Sequence, residues 1–320
     1  MRITLGRKQA SKNDEWLRTM EHIEELISPQ EVTEYADRAV ERIRAAVAGK
    51  TAAYGWSAGK DSIVLGKLCE RAGVTNSFFG HCNLEFPAFL SWALEHAPKD
   101  CEIINTGIDL DWLAAHPQLM FVDDANSLNR WYALVQRKAF SLYHEQHGPD
   151  LMIVGHRVMD GNNCGKDFYI RKNTGETRFS PIADWPHEAI LGYIHYHGLE
   201  LPPTYGWEDG WVFGPTPWPI WGRPESHVDG FRMIYEIDPS IVIAAADKIP
   251  AARTEGWCMN IKLMPLSDLR IAEINVRKHT DKQIAEYVRS IKSFEQVKPI
   301  VIDDTGEIIC GNGLFLALQQ

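Results

Sequence analysis

Six consecutive residues, Ser57-Ala58-Gly59-Lys60-Asp61-Ser62, carry the strongest chemical pattern in the chain. Gly59 lets an anion approach the backbone, Ser57 and Ser62 offer hydroxyl donors, and Lys60 adds a positive charge. A helix that begins within such a stretch presents unpaired backbone N–H groups to the anion. The G-x-x-x-x-G-K-[ST] spacing of the Walker loop is absent. We therefore predict that these six residues form a phosphate-binding loop.

The loop lies between a predicted strand and a predicted helix. An apolar run at 51–56 precedes it, and apolar residues at helical spacing follow it. The alternation continues, with predicted strands at 52–56, 77–81, 102–105 and 151–154 and predicted helices at 62–71, 87–96 and 130–147. It indicates an α/β fold with a doubly wound, mostly parallel, Rossmann-like sheet. Such sheets bind ligands at the carboxyl ends of their strands, where the loop lies.

Two other segments flank this region. Residues 1–50 have apolar positions at helical spacing, and Ser28-Pro29-Gln30-Glu31 is a capping box with proline at the first helical position. A composition change after Asn260 sets off a small C-terminal segment. We expect an N-terminal helical segment at 1–50, a nucleotide-binding domain at 51–260 and a small α+β domain at 261–320.

Composition narrows the class of protein. Of the 320 residues, 45% are hydrophobic and 24% are charged, as in an ordinary globular protein. The net charge of −10 argues against a chain-wide nucleic-acid-binding surface. No apolar stretch reaches the length of a membrane span, and the amino terminus lacks the apolar core of a signal peptide. Six scattered cysteines without a C-x-x-C pair indicate reduced thiols. We therefore expect a cytoplasmic protein with no membrane partner.

The loop resembles the PP-loop, S-[GA]-G-K-D-S, of the adenine-nucleotide α-hydrolase superfamily. Further stretches, in the same order, resemble its phosphoadenosine phosphosulfate (PAPS) reductase-like branch: E-F-P at 85–87, G-x-R at 155–157 and D-W at 184–185. The stretch G-L-E-L-P-P-T-Y at 198–205 resembles the family's G-L-P-x-x-P-L-Y. The resemblance covers about residues 50–210. It implies an adenine nucleotide, ATP or PAPS, between the loop and the strand ends, with its phosphates over the loop.

The resemblance also selects three residues outside the loop. Arg157 is a planar bidentate donor that suits phosphate or sulfate. His156 is a candidate for the same anion or a packed histidine. Glu85, at a strand end, is a candidate for a ribose hydroxyl, a metal or a substrate amine, or for a helix cap. We predict Lys60, Arg157 and Glu85 as catalytic residues, and the loop with Arg157 and His156 as nucleotide ligands. Asp61 is expected to cap the helix or to hold the loop.

The chain departs from the reductases that it resembles. They carry a nucleophilic cysteine in an E-C-G-x-H motif near the C-terminus, which is absent here, and Cys258 lacks that pattern. Iron–sulfur members place paired cysteines after the L-Y element, whereas residues 207–218 contain tryptophan, glycine and proline but no cysteine. We therefore expect no iron–sulfur cluster. The superfamily resemblance then favours cleavage of ATP between its α- and β-phosphates, with Mg²⁺ sharing the charge of the leaving pyrophosphate.

The tryptophan-rich segment between Trp207 and Trp221 is interrupted by glycine and proline, so no regular element fits it. It is interpreted as a structured cap over the sheet edge, with stacking on a nucleobase or binding of a partner as the alternatives.

The C-terminal segment resembles the ParB/sulfiredoxin-like fold, with an N-x-R segment at 275–277 and an amphipathic helix at 283–294. Where that family has G-H-x-R, this chain has Gly311-Asn312-Gly313-Leu314, so its histidine and arginine are missing. The resemblance favours docking or DNA positioning over nuclease chemistry, with a nucleic acid or a protein as the partner. The pairing of the two domains resembles arrangements in phages and mobile elements, which would place the protein in a host cytoplasm.

Three hypotheses remain open. The first is an ATP-dependent enzyme that adenylates or thiolates a substrate, such as a nucleic acid. The second is a PAPS-binding or APS-binding reductase or sulfotransferase. The third is a non-catalytic nucleotide-binding module coupled to a DNA-binding or partner-binding domain. The acceptor, any sulfur donor and the oligomeric state are not specified by these patterns, and an oligomer is compatible with all three.

Overall fold

The computed structural model describes residues 5, 11–172, 175–253, 264–271, 280–294, 300–302 and 305–319. It divides into two compact units, Met1–Asp238 and Pro239–Gln320. The predicted boundary after Asn260 lies outside the described residues, and the division of the chain at positions 50 and 260 stays a prediction.

A six-stranded sheet forms the centre of the first unit. Its strands are β1 (Ala52–Gly55), β2 (Ser77–His81), β3 (Glu102–Asn105), β4 (Leu151–Ile153), β5 (Tyr169–Arg171) and β6 (Thr177–Phe179). The spatial order is β3-β2-β1-β4-β6-β5, and all neighbours are parallel except β5, which is antiparallel to β6. The predicted α/β class and mostly parallel sheet are confirmed. The β5–β6 hairpin was not predicted, because strands of three residues leave no readable alternation.

Residues 11–50 contain helices α1 (Asn13–Glu21), α2 (Ile23–Leu26) and α3 (Pro29–Val47). The predicted capping box opens α3: the Ser28 hydroxyl accepts from Glu31 N–H at 3.2 Å, and the Glu31 carboxylate accepts from Ser28 N–H at 2.9 Å. Both bonds satisfy N–H groups that a helix start leaves unpaired. Trp16 on α1 and Ile43 on α3 are fully buried.

Helices connect the strands and cover both faces of the sheet. They are α4 (Lys60–Ala72), α5 (Pro87–His96), α6 (Leu110–Ala115), α7 (Ala125–Tyr132), α8 (Lys138–His147) and α9 (His187–Tyr196). Neighbouring residues of β1 face opposite sides. Ala53 joins a core with Phe78 and Tyr143 of α8, whereas Tyr54 lies beside Gly66 of α4.

The single helix predicted at 130–147 is wrong in one respect. A π-helical turn, Ala133–Arg137, joins α7 to α8. The spacing of apolar residues did not indicate this turn.

Short elements complete the unit: α10 (Gly210–Phe213) and α11 (His227–Ile237), with 3-10 turns at Pro203–Gly206 and Trp218–Ile220. Trp211, Trp218 and Trp221 are buried in this segment. Trp221 packs edge-on against Phe86 of the E-F-P stretch, at 5.3 Å between ring centroids. The segment is an ordered aromatic cap. Among the described residues, no helix combines the length and the apolar character needed to cross a membrane.

The second unit contains α12 (Pro239–Ala246), β7 (Arg270–Ile271), α13 (Asp281–Phe294), β8 (Val301–Ile302), β9 (Glu307–Cys310) and α14 (Asn312–Leu318). Its small sheet has the order β7-β9-β8, with β7 parallel and β8 antiparallel to β9. The amphipathic helix and the small α+β architecture agree with expectation. The predicted N-x-R segment at 275–277 lies outside the described residues.

Candidate functional site

A cavity of about 450 Å³ opens at the carboxyl ends of the central strands. The chain leaves β1 toward β2 and β3 on one side, and β4 lies on the other side, so the strand order reverses between β1 and β4. Ligands of open α/β sheets bind at such a switch point. Ser57, Gly59, Asp61 and Ser62 follow β1 and line the cavity, together with His156 after β4.

Internal hydrogen bonds hold the loop between β1 and α4 in one shape. Ser57 N–H donates to the Ser62 hydroxyl at 3.0 Å, and that hydroxyl donates to the Gly59 carbonyl at 2.9 Å. Ala58 takes a left-handed conformation, φ 56°, which turns the chain from strand to helix. Lys60 N–H donates to the Tyr205 hydroxyl at 2.9 Å. Among the described residues, the amides of Ala58 and Gly59 have no protein acceptor, and Gly59 lines the cavity.

Lys60 is placed differently from the expectation of a direct phosphate contact. Its side chain is 1% exposed and lies outside the cavity lining. The ammonium is 2.6 Å from Asp61 Oδ2 and 3.9 Å from Asp160 Oδ1, and it lies over the Trp16 ring at 5.3 Å. A buried ammonium requires a compensating charge, which Asp61 and Asp160 supply. The charge of Lys60 is therefore paired inside the protein.

Arg157 also lies outside the cavity lining, with a fully buried guanidinium. It donates to Asp61 Oδ1 at 2.7 Å and to Asp160 at about 3 Å, and its other bonds reach the Trp185 carbonyl and His187 Nδ1, each at 3.2 Å. These bonds join the end of β4 to the start of α4 and to α9. In this structure, Arg157 positions Asp61 and Asp160, which line the cavity, and makes no open anion site.

Glu85 lines the cavity from the segment that follows β2. Burial raises the pKa of its carboxyl to about 7, and the Cys82 N–H, 3.4 Å from Oε1, offsets part of that rise. A carboxyl with a pKa near 7 exchanges a proton readily at neutral pH.

His156 lines the cavity between the loop and α7. Its Nε2 is hydrogen-bonded to the Tyr132 hydroxyl at 3.0 Å. Burial, followed by the nearby Arg178 cation, lowers the pKa of His156 to about 4. The imidazole is therefore neutral at physiological pH, and it offers hydrogen bonds rather than positive charge to a ligand.

Carboxylates outnumber cations in the described wall of this cavity. Asp61, Glu85, Asp123 and Asp160 line it, against Arg223 as the single lysine or arginine. Asp160, Arg223, Tyr205 and Thr216 were not predicted as site residues. Tyr205 belongs to the quoted G-L-…-L-Y stretch, which could have indicated it, whereas no local pattern marks Arg223. Groups of three or more metal-binding side chains are absent from the described residues.

The fold and the cavity define a protein of the adenine nucleotide α-hydrolase-like class. Residues 51–208 match the model of the phosphoadenosine phosphosulfate reductase domain, and over these residues the chain belongs to that family. A second relationship joins it to the ParB-like nuclease domain-containing protein YnaK of Escherichia coli K12, 39% identical over 62 residues, or 19% of this chain and 71% of that protein. Over that shorter segment the chain belongs to the family of that protein. Both suggested family resemblances are confirmed.

Two solved structures are similar at low identity. A PAPS reductase from Candida auris, in a phosphate complex, is 14% identical with a TM-score of 0.41, over 56% of this chain and 92% of that one. An NH3-dependent NAD synthetase from Campylobacter jejuni is 15% identical with a TM-score of 0.38, over 69% of this chain and 94% of that one.

Proposed function

We propose that the cavity binds ATP and that the protein cleaves it between the α- and β-phosphates to adenylate an acceptor. The observation that carries this proposal is the loop itself: a cavity of about 450 Å³ is lined by Ser57, Gly59 and Ser62 at the switch point of the sheet. That volume is within the usual range for a small-molecule site. The amino terminus of α4, thirteen residues long, adds its positive dipole end to the loop amides.

In the proposed reaction, an acceptor oxygen, nitrogen or sulfur attacks the α-phosphorus. The new bond to phosphorus forms as the bond to the bridging oxygen breaks, and pyrophosphate leaves with the electron pair. The loop amides at Ala58 and Gly59 stabilise that leaving charge. Glu85 is the proposed acceptor of the proton that the attacking group loses, since it lines the cavity and has a pKa of about 7. Thiolation would follow if a reduced sulfur compound displaced the adenylate.

The excess of acidic side chains in the cavity wall favours binding of a nucleotide together with a metal ion over binding of the nucleotide alone. Lys60 and Arg157 neutralise Asp61 and Asp160, which leaves few positive groups to face a triphosphate. Magnesium keeps several waters and is usually bound by one or two carboxylates together with phosphates. Asp61 and Asp160 fit that requirement as residues that would hold it. When bound, the ion would neutralise developing charge on the pyrophosphate.

A sulfonucleotide reductase is the competing enzyme class. The family match favours it, whereas the described wall of the cavity contains no cysteine and the chain lacks the E-C-G-x-H motif. A direct comparison of nucleotides separates the two: calorimetry with ATP, AMP, adenosine phosphosulfate and PAPS, each with and without Mg²⁺. Preference for Mg²⁺ with ATP supports adenylation, and preference for a sulfonucleotide supports the competing class.

The loop assignment is tested by Gly59→Ala. A Cβ at Gly59 would lie 3.5 Å from both Pro215 and Ser57, an ordinary packing distance, so the variant is expected to fold. The added methyl group narrows the anion's approach to the backbone. We expect ATP affinity to fall roughly tenfold, about 1.4 kcal/mol.

Gly206→Ala is the matched control, because a Cβ there meets no atom within 4 Å and the residue does not line the cavity. Its ATP affinity is expected to equal that of the wild type. Unchanged affinity in Gly59→Ala would show that phosphates bind elsewhere.

A further inference from the structure

One end of the cavity is formed by the π-helical turn and its flanks. Tyr132, Val135, Gln136 and Phe140 line the cavity from this helix, and Trp131 lies beside them. π-helical turns inside α-helices are rare and are frequently found at functional sites. Here the turn directs a set of uncharged, largely aromatic side chains into the cavity.

Buried polar atoms in the same cavity have no partner within the described protein. They are His156 Nδ1 and Thr216 Oγ1, and both residues line the cavity. Buried polar atoms are nearly always hydrogen-bonded, so unpartnered atoms in a cavity wall are candidates for contact with a ligand or a water. The bond from the Tyr132 hydroxyl to Nε2 fixes the imidazole and leaves Nδ1 for that ligand.

Charges of both signs surround His156. Arg178 is 5% exposed, pairs with Glu176, and lies over the Phe140 ring at 4.3 Å. Burial of the imidazole, followed by this cation, lowers the pKa of His156 and keeps the ring neutral. The carboxylates Asp160 and Asp61 act on His156 in the opposite sense. A charged ligand would therefore gain little at the π-helical turn, whereas a flat, uncharged ring with a polar edge matches both the aromatic side chains and Nδ1.

We propose that His156 and the π-helical turn bind the acceptor of the reaction, and that this acceptor presents an uncharged heteroaromatic ring of the nucleobase type. The proposal rests on the proposed function, because it assigns to the acceptor the part of the cavity that the phosphates do not use. The ring hydrogen-bonds through its edge to His156 Nδ1. Tyr132 acts as a positioning residue, since it orients the imidazole.

The test uses the full chain saturated with Mg²⁺ and α,β-methylene-ATP, which occupies the nucleotide site without being cleaved. Adenosine, guanosine, cytidine and uridine serve as the probes, and binding is measured by saturation-transfer NMR and calorimetry. We expect at least one nucleoside to bind this complex. His156→Phe should lower the affinity for that nucleoside at least tenfold. Its affinity for α,β-methylene-ATP should stay within twofold of that of the wild type.

Tyr132→Phe, which removes one oxygen, should lower the affinity for the nucleoside by a smaller factor. It provides a second test in case His156→Phe folds poorly. His144→Phe on α8, outside the cavity lining, is the matched control and should bind both ligands as the wild type does.

Two results would overturn the proposal. In the first, no nucleoside binds the complex. In the second, His156→Phe lowers the affinity for α,β-methylene-ATP as much as that for the nucleoside, which would show that His156 contacts the adenine of the nucleotide. If the wild type binds a nucleoside through His156 but does not bind α,β-methylene-ATP, the proposed function fails, whereas binding of the ring at His156 stands.

Discussion

At the scale of single residues, Glu85 combines contact with the cavity and a raised pKa. Burial of the carboxyl dominates, and only two long hydrogen bonds to Oε1 offset it, from Cys82 N–H at 3.4 Å and from Cys82 Sγ at 3.7 Å. Ionisation is therefore less favourable in the folded protein than in the unfolded chain. Lys60 and Arg157 differ from Glu85, because each of these buried cations is paired with a carboxylate. The site thus combines one carboxyl whose pKa is raised by burial with two carboxylates, Asp61 and Asp160, that lie in ion pairs.

The pKa of Glu85 predicts a pH-dependent difference in stability. The folded value of about 7 lies above the ordinary 4.5, so the unfolded chain loses this proton first as pH rises. The folded state therefore loses stability between pH 4.5 and about 7, and Glu85→Gln escapes that loss. The free energy of unfolding of Glu85→Gln, relative to wild type, should rise across this interval. Urea unfolding at pH 4.5, 6 and 8 measures it.

Glu95→Gln, at an exposed position on α5, is the control for this experiment. Its free energy of unfolding, relative to wild type, should be the same at the three pH values. A flat difference in Glu85→Gln as well would contradict the raised pKa and the proposed role as proton acceptor.

At the scale of elements, Arg157 connects β4, α4 and α9 through one guanidinium. Removing one member of a buried ion pair leaves the other charge uncompensated, which typically costs 3–5 kcal/mol. We expect Arg157→Met to lower the free energy of unfolding by about 3 kcal/mol, since Asp61 keeps some solvent exposure. Urea denaturation followed by circular dichroism is the measurement.

Arg42→Met gives the matched comparison, because Arg42 also makes a bidentate pair, with Asp184 at 2.7 and 2.8 Å, but both side chains are at least one-third exposed. Exposed pairs contribute little, so a loss of about 1 kcal/mol or less is expected. Equal losses in the two variants would show that burial does not govern the Arg157 bonds.

At the scale of the whole molecule, the chain forms two compact units. All described residues that line the cavity belong to Met1–Asp238. In the second unit, Ile308 on β9 is 1% exposed and pairs with Ile271 and Ile302 in the small sheet. The described walls of the cavity therefore contain no residue of the second unit.

Ile308→Ala tests this independence. Truncation of a buried isoleucine typically costs 2–5 kcal/mol, so the second unit should melt earlier in scanning calorimetry. ATP affinity, measured on the same full-length variant well below that transition, should match the wild type. A fall in affinity would show that the second unit contributes to nucleotide binding.

Local patterns were sufficient for much of this protein. The strand–loop–helix order around Ser57–Ser62, the capping box at Ser28 and the bounds of β2, β3 and α5 are properties of neighbouring residues, and propensity and periodicity report them directly. Family membership followed from short motifs in order. The short β5–β6 hairpin and the π-helical turn left no such pattern.

The sequence by itself determined that the loop Ser57–Ser62 lies between a parallel strand and a helix, in a chain of the PAPS reductase domain family. Only the tertiary structure decided that Lys60 and Arg157 point away from the cavity and that Tyr205, 145 residues distant, accepts the Lys60 amide hydrogen. The physical reason is that residue type specifies what a side chain is able to bind, whereas its burial and partners depend on segments that meet only after folding. Those long-range contacts assign Asp61, Glu85 and His156 to the cavity and place the two cations beneath it.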